Sequence, residues 1–260
     1  QESLLAKTDG YPVTGNSMTF PRTNETSRAD GSRWGGVRSY WVQEGAAVTA
    51  SQPGFGRLTL NLHKLATSVV LTSELKQDAG PTLETYLNKV FASEIEFETG
   101  KAIFRGNGSG RPLGFLNAPC AITVSKESGQ GAGTIVSANI VKMWARRFAL
   151  GPTGSYVWLI NQDVGPQLDL MTLGIGTAGI ATYMPPGGLS ERGYMTLKGA
   201  PVVEVEWAST LGTVGDIALV DLSQYVTIQN GGPITMNSLH VYFLTDQETV
   251  RTPWRIDGQP

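Results

Sequence analysis

The stretch from Pro81 to Asn117, PTLETYLNKVFASEIEFETGKAIFRGNGSGRPLGFLN, decides the fold. Pro81 suits a first helical turn, and Gly80 punctuates the loop before it. Leu83, Tyr86, Leu87, Val90, Phe91 and Ile95 recur at helical spacing, while Glu84, Asn88, Lys89, Glu94, Glu96 and Glu98 stay largely off that stripe. The pattern continues through Ala102, Ile103 and Phe104 and stops at Gly106-Asn107-Gly108-Ser109-Gly110. The spacing therefore predicts a helix over 81–105, of roughly 20–25 residues and about 30–37 Å. That is long for a globular domain and suits a strut.

N-terminal to it, residues 1–16 show no stable period and read as an extended arm that needs something to lie on. Ser17 to Phe20 and Arg57 to Leu71 are strand-like; Leu58, Leu60 and Leu62 alternate with Thr59, Asn61 and His63. Between them Pro21 to Gly56 carries Arg22, Arg28, Arg33 and Arg38 interleaved with Trp34, Tyr40 and Trp41. A connection longer than about 12–15 residues is uncommon unless it is functional or disordered. A projecting hairpin bearing these residue types predicts contact with a partner, since Arg, Trp and Tyr dominate binding hot spots.

C-terminal to the helix, Ala121 to Val124 and Thr134 to Val136 read as short strands across a glycine loop. Ser137 reads as the N-cap of a second helix to about Leu150, with Ile140, Val141, Trp144 and Phe148 on one face. Tyr156 to Ile160 is a continuous apolar run, the mark of a strand buried on both faces. Asn161 or Asp163 caps a short helix through Leu173, and Gly174 to Gly188 reads as loop. Further strands are expected at Pro201 to Glu206, Ile217 to Asp221, Ser223 to Ile228, Leu239 to Leu244 and Glu248 to Thr252, with Trp254 to Gly258 after them.

At 260 residues the chain has room for one large domain or two smaller ones. Charged residues make up only 16%, against about 25% in typical soluble domains. With 32 Gly and 14 Pro, this fits a sheet-rich protein that hides surface against partners, and equally an ordinary glycine-rich β protein. The formal net charge of −2 argues against a dedicated nucleic-acid binder. The single cysteine, Cys120, excludes an intrachain disulfide and fits a reducing compartment. With only His63 and His240 beside it, a Cys/His zinc site is not expected. No apolar run approaches a membrane span, and no signal peptide is visible. The start at Gln1 suggests a processed or trimmed product, a cloning choice being the plainer reading.

Motifs for chemistry are weak. Gly174-Ile175-Gly176-Thr177-Ala178-Gly179 matches the dinucleotide fingerprint literally, but lacks a strand before it, a helix after it and an acidic residue about 20 positions on. Gly106 to Gly110 ends a helix instead of opening one, so the helix dipole there repels an anion. Glu94 and Glu98 lie one helical turn apart and could converge for acid–base work, but a solvated or partner-facing acidic strip is the better reading. A nucleophilic triad would need His63 or His240, and no G-x-S-x-G elbow is present. The Arg-aromatic tip could stack on nucleic acid, yet Glu25, Asp30 and Glu44 dilute its charge, which favours protein–protein contact.

Several stretches taken together carry a resemblance. They are the arm, the long two-stranded loop, the long helix, and Gly106 to Leu116 with Arg-Pro-Leu-Gly-Phe-Leu. Leu197-Lys198-Gly199-Ala200-Pro201-Val202-Val203, Gly212 to Val226, Val241-Tyr242-Phe243-Leu244 and Arg255-Ile256-Asp257-Gly258 follow. The whole chain resembles the major capsid protein of tailed bacteriophages, of the Hong Kong ninety-seven type. The Gly212 to Val226 block is the most specific part.

The resemblance implies an α+β capsid fold. Residues 1–16 would form an N-terminal arm and 17–63 an extended loop. Residues 64–120 and 238–260 would form a peripheral domain around the helix 81–105, and 121–237 an axial domain. It implies no enzyme activity and no cofactor. The function implied is self-assembly into pentamers and hexamers of an icosahedral virion shell around double-stranded DNA, built in the host cytoplasm. The implied partners are other copies of the chain, a portal, a scaffold segment, a maturation protease, a decoration protein and non-specifically contacted DNA, with no membrane. Arg28, Arg33, Trp34, Arg38, Tyr40, Trp41, Glu94 and Glu98 are the candidate interface residues, loop arginines meeting glutamates of a neighbour's helix. The founding type joins subunits by an isopeptide bond from a loop lysine to an asparagine. Here no lysine lies between Lys7 and Lys64, so no such network is expected. The rival readings are an encapsulin-type nanocompartment shell and a nucleotide-binding enzyme.

Overall fold

The computed structural model describes residues 3–23, 27, 29, 31–147, 155–175, 178–181 and 196–260. In chain order the elements are β1 (Asp9–Pro12), β2 (Ser17–Thr23), β3 (Phe55–Asn61), β4 (His63–Thr72), α1 (Ser73–Arg105), α2 (Ser137–Ala145), β5 (Tyr156–Ile160), α3 (Gly165–Asp169), β6 (Thr172–Ile175) and β7 (Ala178–Ala181). β8 (Thr196–Leu197), β9 (Ala200–Glu204), β10 (Ile217–Asp221), β11 (Val226–Gln229), β12 (Met236–Tyr242) and β13 (Gln247–Gln259) complete them. The fold is α+β.

The long helix forms, with its start moved. α1 begins at Ser73, where the Thr72 side chain caps the backbone N–H of Leu75 at 3.3 Å. It breaks at Gly80, whose φ of 45° and ψ of −133° are open to glycine alone, and resumes at Pro81. The expected 81–105 is thus the second limb of a 33-residue element. The apolar stripe is also narrower than its spacing implied. Phe91, Ile95 and Ile103 are buried and Leu83 and Leu87 half-buried, but Tyr86 and Val90 face outward.

At its other end the helix is hooked back on itself. Asn117 donates from Nδ2 to the carbonyls of Arg105 and Gly106, both at 2.9 Å, satisfying two of the acceptors a helix end leaves over. Asn107 bridges Leu113, and a β-carbon on Gly106 would sit 2.1 Å from the Pro112 carbonyl. The Arg-Pro-Leu-Gly-Phe-Leu-Asn signature is therefore a lock on the helix terminus.

Two sheets flank α1. In one, β13 is the axis: β4 pairs antiparallel along Gln247–Ile256, while β12 and then β11 share its other edge, with β1 parallel to β11. Two expected runs, Glu248–Thr252 and Trp254–Gly258, are one 13-residue strand. Pro253 is tolerated because it falls where β12 pairing has ended, at Arg251, and β11 pairing has not begun, at Ile256. β1 places the arm on its own chain, and Leu4 is buried in the core.

The second sheet runs β10-β5-β9-β8. β5 is buried at every position, as its apolar run predicts. Val157 and Leu159 pack with Ile103 and Phe104 of α1, and Trp158 and Ile160 with Ile140 of α2. Phe104 meets Phe115 and Trp207 at ring-centre distances of 4.8 and 5.4 Å, pairs worth about 0.5–1.5 kcal/mol each beyond burial.

Three further expectations are corrected. No strand forms at 121–124 or at 134–136, and around the second stretch side-chain amides take the backbone partners instead. Gln167 accepts from the Ile135 N–H at 2.8 Å and donates to the Gly133 carbonyl at 3.1 Å, and Gln130 donates to the Thr134 carbonyl. α2 is capped from within, Asn139 accepting from the Val136 N–H at 3.0 Å, so Ser137 is its first helical residue and not its cap. α2 ends at Ala145, and Phe148 to Leu150 lie outside the described residues. α3 ends at Asp169, and the expected loop from Gly174 opens with the antiparallel ribbon β6–β7. Residues 182–188 of that loop lie outside the described residues.

Candidate assembly surfaces

The projecting element is built from β2 and β3, paired over seven residues from Ser17↔Asn61 to Thr23↔Phe55. Met18, Phe20, Leu58 and Leu60 turn one face onto Leu62 and Ile228 of the body. At the base, Asp257 of β13 accepts the Asn61 N–H at 2.9 Å. Burial raises the Asp257 carboxyl above its ordinary range, while the Asn61 and Gly258 amides and the nearby His63 act to lower it.

Beyond Thr23 the two sides of the segment are joined by the Gly54 N–H to the Gly35 carbonyl at 2.9 Å and the Arg38 N–H to Ser51 Oγ at 3.2 Å. Arg33, Trp34, Arg38, Tyr40 and Trp41 are all exposed, and the Trp41 ring is fully so. Trp34 is held at φ 55°, an uncommon conformation for an aromatic residue. The Arg38 guanidinium lies against Gly31, where a β-carbon would come within 2.4 Å of it. Arg28 lies outside the described residues.

Glu94 and Glu98 do not converge. Glu98 pairs with Lys101 of its own helix at 2.8 Å. Glu94 instead joins Ser93, Glu96, Phe97 and Glu206 around a shallow depression of about 230 Å³. Glu206 was not singled out from the sequence, being distant in the chain and lacking any period that ties it to α1. Sequence reasoning names Leu239 to Leu244 as a strand and Val241 to Leu244 within the resemblance, but gives no sign that Leu239, Val241, Phe243 and Leu244 face outward.

Among the described residues the His and Cys side chains stand apart. His63 sits half-buried on β4 and His240 exposed on β12, on opposite edges of β13, and Cys120 is exposed in a loop. Among the described residues no group of three or more His, Cys, Asp or Glu could hold a metal ion, and no helix is long and apolar enough to cross a membrane. Gly174 and Gly179 face each other across the β6–β7 ribbon, so the fingerprint match begins and ends in two paired antiparallel strands and its last glycine opens no helix. Gly176 and Thr177 of that match lie outside the described residues.

Comparison with known proteins gives concordant results. The phage capsid family matches residues 7–260. A capsid polyprotein of Pseudomonas phage PAJU2 is 28% identical over 219 residues, covering 82% of this chain and 30% of that protein. The chain thus spans under a third of the curated relative it matches. Among solved structures, the capsid of an empty GTA particle superposes with a TM-score of 0.75 at 19% identity, covering 99% of this chain and 86% of that one. A chain of Microbacterium phage Oxtober96 gives 0.62 at 11% identity, covering 99% and 84%.

Proposed function

The chain belongs to the phage capsid family and is a structural, shell-forming major capsid protein, and on that premise we propose how it closes a shell. Copies associate into pentamers and hexamers of an icosahedral virion shell that encloses double-stranded DNA. In this reading residues 1–16 are the arm, 17–63 the extended loop, 64–120 and 238–260 the peripheral domain, and 121–237 the axial domain. β11 then belongs to the axial segment in sequence and to the β13 sheet in pairing. A portal, a scaffold segment, a maturation protease and a decoration protein act with it during assembly in the host cytoplasm.

The observation that carries the reading is the loop tip. A two-stranded element leaves Trp41 fully exposed and Trp34 and Tyr40 about half exposed. Aromatic rings of this size gain from burial mainly at an interface, and each such contact between subunits would bury about 1,200–2,000 Å² in total. Loop arginines Arg28, Arg33 and Arg38 face acidic residues of a neighbouring α1. Glu94, with Glu96 and Glu206 beside it, is the better acceptor, since Glu98 already has Lys101. Each exposed pair adds only about 0–1 kcal/mol, so these contacts set register more than strength.

Electron micrographs of the purified protein test the reading, with closed shells expected. Reversing Arg33 and Arg38 to Glu should lower assembly yield and its salt sensitivity; unchanged yield, geometry and salt response would refute the pairing. An encapsulin-type shell with bound enzyme cargo is not favoured by the family match.

A further inference from the structure

We infer that the cavity at the break in α1 is a binding site for a small organic cation, a primary alkylammonium with a short alkyl chain. The inference stands on that cavity and does not depend on how copies of the chain meet.

Gly80 divides α1 into a short first limb from Ser73 and a longer one from Pro81. A cavity of about 310 Å³ is lined by residues of both limbs and of the strands packed against them. That lies at the small end of the range of about 300–1,000 Å³ found for ligand pockets. Leu83 and Leu87 of the second limb, Leu71 of β4 and Val250 of β13 give it apolar walls, and Leu71 and Val250 are buried. Asn237 of β12 adds a neutral amide.

A buried carboxylate lines the same space. Glu248 of β13 is only 5% exposed, a position that is costly for a charge unless it is paired. Lys76 of the first limb supplies the partner, donating to Glu248 Oε2 at 2.5 Å. Glu84, an exposed residue of the second limb, is the remaining charged group of the lining among the described residues. Two carboxylates thus share one ammonium, and the cavity is left with an excess negative charge.

That lining selects the ligand by complementarity. An anion would meet Glu84 and Glu248 while the one counter-charge, Lys76, is already held by Glu248. An ammonium group brings the missing positive charge and three donors, for which the two carboxylates and the Asn237 carbonyl are acceptors. An alkyl chain behind it has Leu71, Leu83, Leu87 and Val250 to lie on. The first limb is otherwise tied down by the Lys76–Glu248 pair and by Ser73, which donates to Asp246 Oδ1 at 2.7 Å. An occupant that touches both limbs and β13 therefore also stiffens the helix at its break.

The test uses the full chain, with hexylammonium chloride as the probe and sodium hexanoate, 1-hexanol and sodium chloride as controls. At ten times its dissociation constant, hexylammonium should raise the unfolding midpoint by about 3–6 °C, and the rise should saturate. It should also slow amide exchange across 74–80 and shift the methyl resonances of Leu83, Leu87 and Val250. Glu84→Gln, made on an exposed side chain, should leave the unfolding midpoint of the free chain unchanged and weaken binding about fivefold or more. Glu248→Gln should weaken it further. A response to hexylammonium that does not saturate overturns the inference, as does an equal response to hexanoate or hexanol. Full binding by Glu84→Gln overturns it too, since the excess charge would then play no part. None of these measurements needs a closed shell, so their failure and failure of the assembly reading are separate results.

Discussion

Asp257 is the most informative single perturbation, because one buried carboxylate fixes the base of the projecting loop. Its Oδ2 accepts the Asn61 N–H at 2.9 Å, and Asn61 is the last residue of β3. Asp257→Ala leaves that part-buried amide without its acceptor, a loss of about 0.5–1.5 kcal/mol. Asp257→Asn keeps an acceptor of the same shape and should cost far less. Urea unfolding of the unassembled chain, with amide hydrogen exchange across 55–63, separates the two: Ala should lower the midpoint and expose Asn61, Asn should not. The pH dependence follows from the sign of the shift. Burial raises the folded pKa above its ordinary value of 3.8, so the folded chain binds the proton more tightly than the unfolded one. This group's contribution is therefore fully present below the unfolded value and is lost as pH rises through the folded one. Stability of the parent relative to Asp257→Asn should fall across that window and stay flat above it. Equal damage from Ala and Asn, or a stability difference that rises with pH, would refute the reasoning.

Three other outcomes are expected. Trp41→Ala should leave monomer stability within about 0.5 kcal/mol, since the ring is fully exposed, yet weaken assembly by about 1 kcal/mol or more per contact, read as a higher critical concentration by light scattering. Gly106→Ala should cost about 3 kcal/mol or more in thermal unfolding, because its β-carbon would lie 2.1 Å from the Pro112 carbonyl and force the helix lock open. Assembled shells should run as a single monomer band on a denaturing gel, since no lysine lies between Lys7 and Lys64 to form a side-chain amide from the loop.

Where a residue's neighbours are close in sequence, the reading was good. The α1 limb from Pro81, the buried β5 and the β2–β3 projection all rest on local periodicity, and each forms. The errors lie where a distant group intervenes. Gln167 takes the backbone partner that a strand near Ile135 would need, and Asp246 anchors Ser73 ahead of the Gly80 break, so helix is stable where composition reads as loop. Exposure is harder still to read, because Tyr86 and Val90 satisfy the helical spacing and yet face away from the core. The loop aromatics were legible from residue type alone. The exposed tip of the β12–β13 hairpin was not, although the fifteen consecutive residues from Gly231 to Thr245, which contain no Asp, Glu, Lys or Arg, were in plain view.

β13 has a consequence for timing. It is translated after every strand it joins, and it connects β4, β11 and β12 while β11 in turn holds β1, so the strand pairing of residues 9–12 runs through residues 226–229 and, behind them, 247–259. A nascent chain on the ribosome, lacking that closing strand, cannot present a finished loop base or hairpin. Contacts that need the finished loop base are therefore expected to form only after residue 259 has been made.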